Sequence, residues 1–339
     1  MGRVMERLAA ALLVALLFSA GGSTVFAAVN DSGSAAPWQG KKILWVNSYH
    51  EGYSWGDGIG RGIRKILAGS GADLKVWYMG TLRNRSEAYG QKAGRLANRV
   101  VEEYRPDVLI ASDDNAQRFL VEPYLKGSNL PVIFCGVNRE PAEYGYPASN
   151  VTGMHEVDFV GDLVRQMRAF AGGDRLGMIA CKRETDKIIA EAYNHYVFDG
   201  RLKVYLVETL AEFKESFLRA QQEVDILCLP NNAGIEGWED EIAEKFILEH
   251  TRIPTGGLNP WMKPFVIFNL AKIPEEQGEY AAATALRILA GESPEDIPVT
   301  QNRHAALTVN LKMAQATGIV IPVPLLKTAE IIGQEALRD

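Results

Sequence analysis

Ile43-Leu44-Trp45-Val46, then Asn47-Ser48-Tyr49-His50-Glu51-Gly52-Tyr53-Ser54-Trp55, then Ile59, Ile63, Ile66 and Leu67 at helical spacing, form the stretch that decides the fold. Four consecutive apolar residues read as a strand covered on both faces. Ser54 reads as a helix N-cap, with Asp57 three residues on beside the exposed amides of the first turn. Gly69 and Gly71 end the helix. The unit is therefore strand, polar loop, amphipathic helix.

The unit recurs. Further strands are expected at 74–78, 108–111, 132–137, 176–180, 204–207, 226–229 and 265–268. Between them lie helical patterns: Ser86 capping the stripe Ala93, Leu96, Ala97, Val100, Val101 and Tyr104, then 115–125, a face of Phe159, Leu163, Val164, Met167 and Phe170, then 185–198, 213–221, 238–249 and 275–289. Strands alternating with helices imply parallel sheets with right-handed crossovers. Two similar blocks, about 41–150 and 151–262, predict an α/β protein of two doubly wound parallel-sheet lobes joined by a hinge.

The bulk numbers agree with this reading. The chain has 339 residues, 47% hydrophobic and 23% charged, which is globular rather than disordered composition. A net charge of −6 offers no general footprint for nucleic acid. Residues 1–28 read as a secretory signal peptide: Arg3 and Arg7, an apolar run from Leu8 to Ala20, then Val25-Phe26-Ala27. A membrane anchor is disfavoured because the run is short for a bilayer, and no Cys follows it for lipid attachment. Residues 29–40 read as a flexible leader. The expected location is periplasmic or otherwise extracytoplasmic, with no membrane span after signal cleavage. Cys135, Cys181 and Cys228 form no close-spaced metal motif and read as buried thiols. An oxidising compartment would also permit one disulfide with one thiol left over.

In open parallel sheets ligands bind beyond the carboxyl ends of the strands, so the loops there carry the functional signal. The first holds Ser48, Tyr49, His50 and Trp55, able to stack on a planar or apolar ligand and to hydrogen-bond it; Tyr49 and Trp55 equally suit loop packing. After the third strand come Asp113, Asp114 and Asn115. Asp113 alone would satisfy a helix cap, which leaves a carboxylate to hold a ligand ammonium. After the fourth come Gly136, Asn138 and Arg139. The second block offers Lys182, Arg183 and Thr185, then Asn231 and Asn232, for which turn chemistry is the simpler role. Asn259-Pro260-Trp261 follows. The ligand-binding set read from the sequence is Ser48, Tyr49, His50, Trp55, Asp113, Asp114, Asn115, Asn138, Asn231 and Asn232.

No phosphate loop, dinucleotide fingerprint, H-E-x-x-H zinc motif or G-x-S-x-G elbow occurs, and the five histidines have no ligand-spaced partner. The reading is a binding protein, not an enzyme, with no catalytic residues, no cofactor and no metal. An exported hydrolase would require a nucleophile–base pair, for which Ser48 and His50 are the nearest candidates.

Several segments carry a resemblance: 43–50, Pro131-Val132-Ile133-Phe134-Cys135-Gly136-Val137-Asn138, Asn150-Val151-Thr152-Gly153, and Val309-Asn310-Leu311-Lys312-Met313-Ala314 with Gly318-Ile319. In these the chain resembles the periplasmic substrate-binding proteins of ABC transporters, in the group that includes tryptophan- and tyrosine-binding members, with a type I periplasmic-binding-protein fold. The segment Ile273-Pro274-Glu275-Glu276-Gln277-Gly278, with Gly291, resembles the third lobe crossing of sugar-type binding proteins. The resemblance implies lobe 1 at 41–152, lobe 2 at 153–263, a return to lobe 1 at 264–297 and a tail, 298–339, at least partly on lobe 2. It implies capture of a small molecule between the lobes and delivery to an ABC transporter permease. The chain departs from the transporter-type members at Asp113-Asp114-Asn115 and Asn138-Arg139-Glu140-Pro141, and its Ser48-Tyr49-His50, Trp55 and Phe134-Cys135-Gly136-Val137-Asn138 text looks more like the sensory variants fused to bacterial signalling kinases, so a sensing receptor that partners a signalling kinase is the alternative. Aromatic amino acids, nucleobases and short carboxylates suit the loops equally.

Overall fold

A computed structural model describes residues 36–334; the signal-peptide segment 1–28 and most of the leader lie outside the described residues. Two sheets organise the chain from Pro37 onward. The first lobe contains β1 (Lys42–Asn47), α1 (Ser54–Leu67), β2 (Asp73–Tyr78), α2 (Glu87–Tyr104), β3 (Val108–Ser112), α3 (Asp114–Ala116), β4 (Val132–Val137) and β5 (Val151–His155). The second contains α4 (Val160–Arg168), β6 (Leu176–Cys181), α5 (Glu184–Ala192), β7 (Leu202–Val207), α6 (Leu210–Glu223), β8 (Ile226–Cys228), α7 (Asp240–His250), β9 (Thr255–Gly257) and β10 (Phe268–Lys272). Helix α8 (Pro274–Leu289) and β11 (Thr300–Gln301) return to the first lobe. Then β12 (Ala305–Asn310), α9 (Leu311–Thr317), α10 (Val323–Thr328) and β13 (Glu330–Ile332) close the second.

The sheet orders are β11-β5-β4-β3-β1-β2 and β13-β12-β10-β9-β8-β6-β7. All pairings between these strands are parallel except β10 with β12, which run antiparallel. Along β1 the apolar run splits between faces, as strand geometry requires. Ile43 and Trp45 join the core under α1 and α8, while Leu44 and Val46 join the core under α2. One large core fills the second lobe around Phe217, Phe265 and Phe268. Cys135, Cys181 and Cys228 are free and buried. Among the described residues no helix is long and apolar enough to cross a membrane.

The chain crosses between lobes three times, at 156–159, at 273 and at 302–304. These positions adjust the expected boundaries. Residues 153–155 stay in the first sheet and 264–272 stay in the second, so the return begins at α8. The strand expected at 265–268 starts where that window ends. Pro260 and Pro264 sustain a 3-10 turn through Phe265, and the strand itself, Phe-Asn-Leu-Ala-Lys, is polar at two of five positions and so escaped the apolar pattern. At α1, Ser54 is the first helical residue and makes no cap hydrogen bond; the Asp57 carboxylate instead accepts from the Gly52 amide at 3.2 Å. Asp113 likewise provides no side-chain cap. Ser86 does cap α2, accepting from the Tyr89 amide at 3.4 Å.

The crossings are stitched to one another. The Asn302 side chain accepts from the Val157 amide at 2.7 Å and donates to the Val157 carbonyl at 3.0 Å. Glu276, in the first turn of α8, accepts from the Arg303 and His304 amides at 2.8 and 2.9 Å. Helix α8 is anchored to the first lobe by close backbone approach to α1. A β-carbon at Gly278 would stand 2.0 Å from the Ile59 carbonyl oxygen, and one at Gly62 would stand 2.2 Å from that of Glu275. Neither atom can move as a flexible side chain can, so Gly278→Ala must push the helices apart. Overpacking of this kind costs about 1–3 kcal/mol. Gly278→Ala is expected to lower the unfolding midpoint by several degrees, whereas Gly172→Ala, with open space around it and no left-handed backbone, should leave it nearly unchanged. Equal midpoints for Gly278→Ala and the parent would contradict the close-contact account.

Candidate functional site

The loops beyond β1, β3 and β4 meet the first crossing and the end of β10. Lys272 is the last residue of β10, and its ammonium contacts Glu156 and lies 2.7 Å from Asp158, two acids of the first crossing. The same ammonium stands 5.7 Å from the centre of the Trp55 ring and 3.5 Å from the Asn138 amide oxygen, both on the first lobe. Tyr193, following α5 on the second lobe, donates its hydroxyl hydrogen to Asp158. One cation of the second lobe is thus tied to the first lobe and to the first crossing.

Burial sets the charge states. The side chains of Lys272 and Glu156 are 13% and 5% exposed. Burial opposes the Lys272 charge, but Glu156 and Asp158 outweigh that and hold its pKa above the ordinary range. Burial pushes Glu156 up to about 7 in spite of Lys272. Burial also disfavours the Asp158 carboxylate, yet Lys272 and Tyr193 hold its pKa below the usual value. Asp113 is 1% exposed; burial, and then the neighbouring Glu156 and Asp114, push it well above the carboxylate range. Its backbone sits at φ +68, ψ 165, a region that costs a non-glycine residue on the order of 1–3 kcal/mol. The Asp113 amide donates to the Cys135 carbonyl at 2.9 Å and its carbonyl accepts from Gln117 at 3.2 Å, which hold it there.

The ten residues read from the sequence divide by role. Trp55, Asn138 and Asp113 stand against the ion cluster, Tyr49 lies near Asp113, and His50 lies beyond Tyr53. The Tyr49 and Tyr53 rings meet edge-on at 5.0 Å, and His50 tilts against Tyr53 at 6.0 Å. Burial and the nearby Asp113 raise the Tyr49 phenol. Asp114 braces the following loop instead: it accepts from the Asn138 and Arg139 amides at 3.2 and 3.3 Å and from Tyr144 at 2.8 Å. Asn115 donates to Thr81 at 2.9 Å and lines a separate hollow with Tyr49, Arg85 and Arg118. Ser48 is fully buried; its hydroxyl donates to the Ser112 carbonyl at 2.6 Å and accepts from the Ala116 amide at 2.8 Å, tying β1 to β3. That hydroxyl has no histidine partner, so no nucleophile–base pair forms with His50. Asn231 accepts from Trp261 at 3.2 Å and, with Asp158, Tyr193 and Asn259, lines a hollow beyond β6, β8 and β9. Asn232 sits in the adjoining turn, its carbonyl accepting from Ile235.

The loop reading missed Glu156, Asp158, Tyr193 and Lys272. A signal existed: two acids one residue apart directly after a lobe junction, and a lysine closing an otherwise buried strand. Among the described residues, no group of three or more His, Cys, Asp and Glu is placed to hold a metal ion.

Residues 267–332 match the family model described as ABC transporter substrate binding protein. No curated protein sequence matches the chain. Solved structures share the fold. An ABC domain in complex with L-Trp from Streptococcus pneumonia is 18% identical with TM-score 0.61, covering 86% of this chain and 99% of that one. A ligand-free, open substrate-binding protein with adhesive properties from Clostridium difficile is 18% identical with TM-score 0.64, at the same coverages. A periplasmic ribose ABC transporter protein from Conexibacter woesei is 16% identical with TM-score 0.57, covering 85% and 98%. The chain is thus similar to ABC transporter substrate-binding proteins and has the two-lobed α/β fold of type I periplasmic binding proteins.

The raised Glu156 makes a pH prediction. A carboxyl whose folded pKa lies above its unfolded value contributes stability that is complete below about 4.5 and is lost as pH rises through about 7. Between those values Glu156 should pull the melting temperature down with rising pH. Glu156→Gln should remove that contribution and flatten the profile of melting temperature against pH in this window. Parallel profiles for parent and variant would show that Glu156 is ionised throughout.

Proposed function

We propose that this protein is an extracytoplasmic solute-binding protein that captures a small molecule between its two lobes and delivers it to an ABC transporter permease. The observation that carries the reading is the meeting of loops beyond the strand ends of both sheets around buried polar groups supplied by both lobes and by the crossings. Ligands of open α/β sheets bind beyond such strand ends. The fold shared with substrate-binding proteins and the family match at 267–332 support it. The proposed contacts on the first lobe are Tyr49, His50, Trp55, Asp113 and Asn138, and on the second Tyr193, Asn231 and Asn259. The mechanism is hinge closure: a ligand touching both lobes favours the closed arrangement, which the membrane partner recognises. The expected signal peptide supports the location.

A thermal-shift screen of the purified protein against amino acids, amines, purines, organic acids and sugars tests this. A ligand that binds only the folded state, at 100 times its dissociation constant, adds about 2.7 kcal/mol. At least one class is expected to give a saturable upward shift. Saturable binding of unchanged affinity with the second lobe's contacts removed, in Tyr193→Ala, Asn231→Ala and Asn259→Ala together, would contradict capture between lobes.

A further inference from the structure

We propose that Glu156 is the proton-operated part of a latch between the lobes: protonated, it stays packed beside Lys272 and the lobes stay together; ionised, it is relieved only by water, which enters as the lobes part. The bearing of this latch on solute release rests on the solute-binding reading, but the latch itself needs no solute. The anchoring of the cluster leads there. The Glu156 amide donates to the Val137 carbonyl at 2.8 Å, which fixes Glu156 to β4 of the first lobe. Asp158 is bonded by Tyr193 and Lys272, both of the second lobe. Val157 alone lies between the two acids, and its backbone is gripped by Asn302 of the third crossing. The contact of Lys272 with Glu156 therefore spans the pivot, as do its contacts with Trp55 and Asn138. Rotation at the crossings separates Lys272 and Asp158 from Glu156.

Charge balance decides which protonation state the latched arrangement suits. Facing Glu156 are Lys272 of β10, Asp158 of the same crossing, Asp113 and Asp114 beyond β3, the phenols of Tyr49, Tyr53 and Tyr193, and the Cys135 thiol of β4. Lys272 is the one cation of this set, and Asp158 already pairs with it. Burial and the nearby acids raise the phenols and the thiol, which keeps them neutral. Asp113 is likewise pushed toward its protonated form. An ionised Glu156 is then a second carboxylate on one ammonium, with its side chain 5% exposed and its Oε2 without a donor. A buried carboxylate so placed is costly, whereas a protonated one leaves Lys272 and Asp158 as a balanced pair. Protons favour the arrangement in which a group's pKa is higher. Glu156 is pushed up to about 7 where it is buried, against an ordinary value of 4.5. The latched arrangement is thus fully favoured below about 4.5 and loses that advantage as pH rises through about 7. A bound solute would be held in acidic surroundings and given up as they turn neutral.

The test is small-angle X-ray scattering of the purified protein, without solute, at about pH 5 and about pH 8. Between them the ratio of parted to latched molecules is expected to rise on the order of 50-fold, read as a larger radius of gyration at the higher pH. Glu156→Gln, which imitates the protonated carboxyl, is expected to keep the smaller radius at both. Asp113→Asn is expected to keep the parent's response. His155, whose ring meets the Asn138 carbonyl, and His50, tilted against Tyr53, stand near the latch; the difference between parent and Glu156→Gln separates the glutamate from them. Circular dichroism at both pH values establishes that each chain is folded. A parent whose radius is the same at both pH values would overturn the latch, whatever the variants do. So would a response that folded Glu156→Gln retains in full, or one that Asp113→Asn alone abolishes. Because no solute is present, a solute screen without hits leaves these outcomes unchanged, and an overturned latch leaves solute binding standing.

Discussion

The ammonium of Lys272 is the contact on which the arrangement of the lobes depends. It belongs by sequence to the second sheet, yet its partners are two acids of the first crossing, the Trp55 ring and the Asn138 side chain. A buried ion cluster is a weak source of net stability, because desolvation offsets most of the attraction. Its value is geometric. Removing one member strands the others in a low-dielectric site at about 3–5 kcal/mol, so arrangements of the two lobes that separate Lys272 from Glu156 and Asp158 are penalised unless water or a ligand replaces the contact. A hinge so constrained responds to what enters the cleft.

The remaining crossings reinforce this constraint through hydrogen bonds to backbone groups. Asn302 pairs with both backbone groups of Val157, and Glu276 collects two amides of the third crossing. The close glycine contact of α1 with α8 makes the returning helix a rigid part of the first lobe. The crossings are thus short segments between stiff bodies, the construction in which a few residues absorb a domain motion.

Much of the fold was legible in the sequence because its strands are buried on both faces. Runs such as 43–46 and 132–137 announce themselves by continuous hydrophobicity, and the polar text after each marks the ligand-facing edge. What escaped did so for physical reasons. Strand β10 carries Asn269 and Lys272 into the interior, so it lacks the apolar signature. Asp113 reads as a cap but is a strained, buried carboxyl. Ser48 reads as a contact residue, yet its hydroxyl is consumed by backbone groups of β3 and the segment after it. Glu156 and Asp158 precede α4 and look like the acids that favour any helix start. Only their pairing with a lysine more than a hundred positions away identifies them, and no local pattern encodes it.

The measurement that tests the central claim most directly is the distance between the lobes with and without a bound solute. Spin labels on Arg99→Cys of α2 and Glu215→Cys of α6, both exposed sites on opposite lobes, report it by pulsed electron resonance, the native cysteines being buried. A saturating solute is predicted to narrow the distribution and displace its maximum. A distribution that stays unchanged while the solute is shown to be bound would contradict capture by closure of the two lobes.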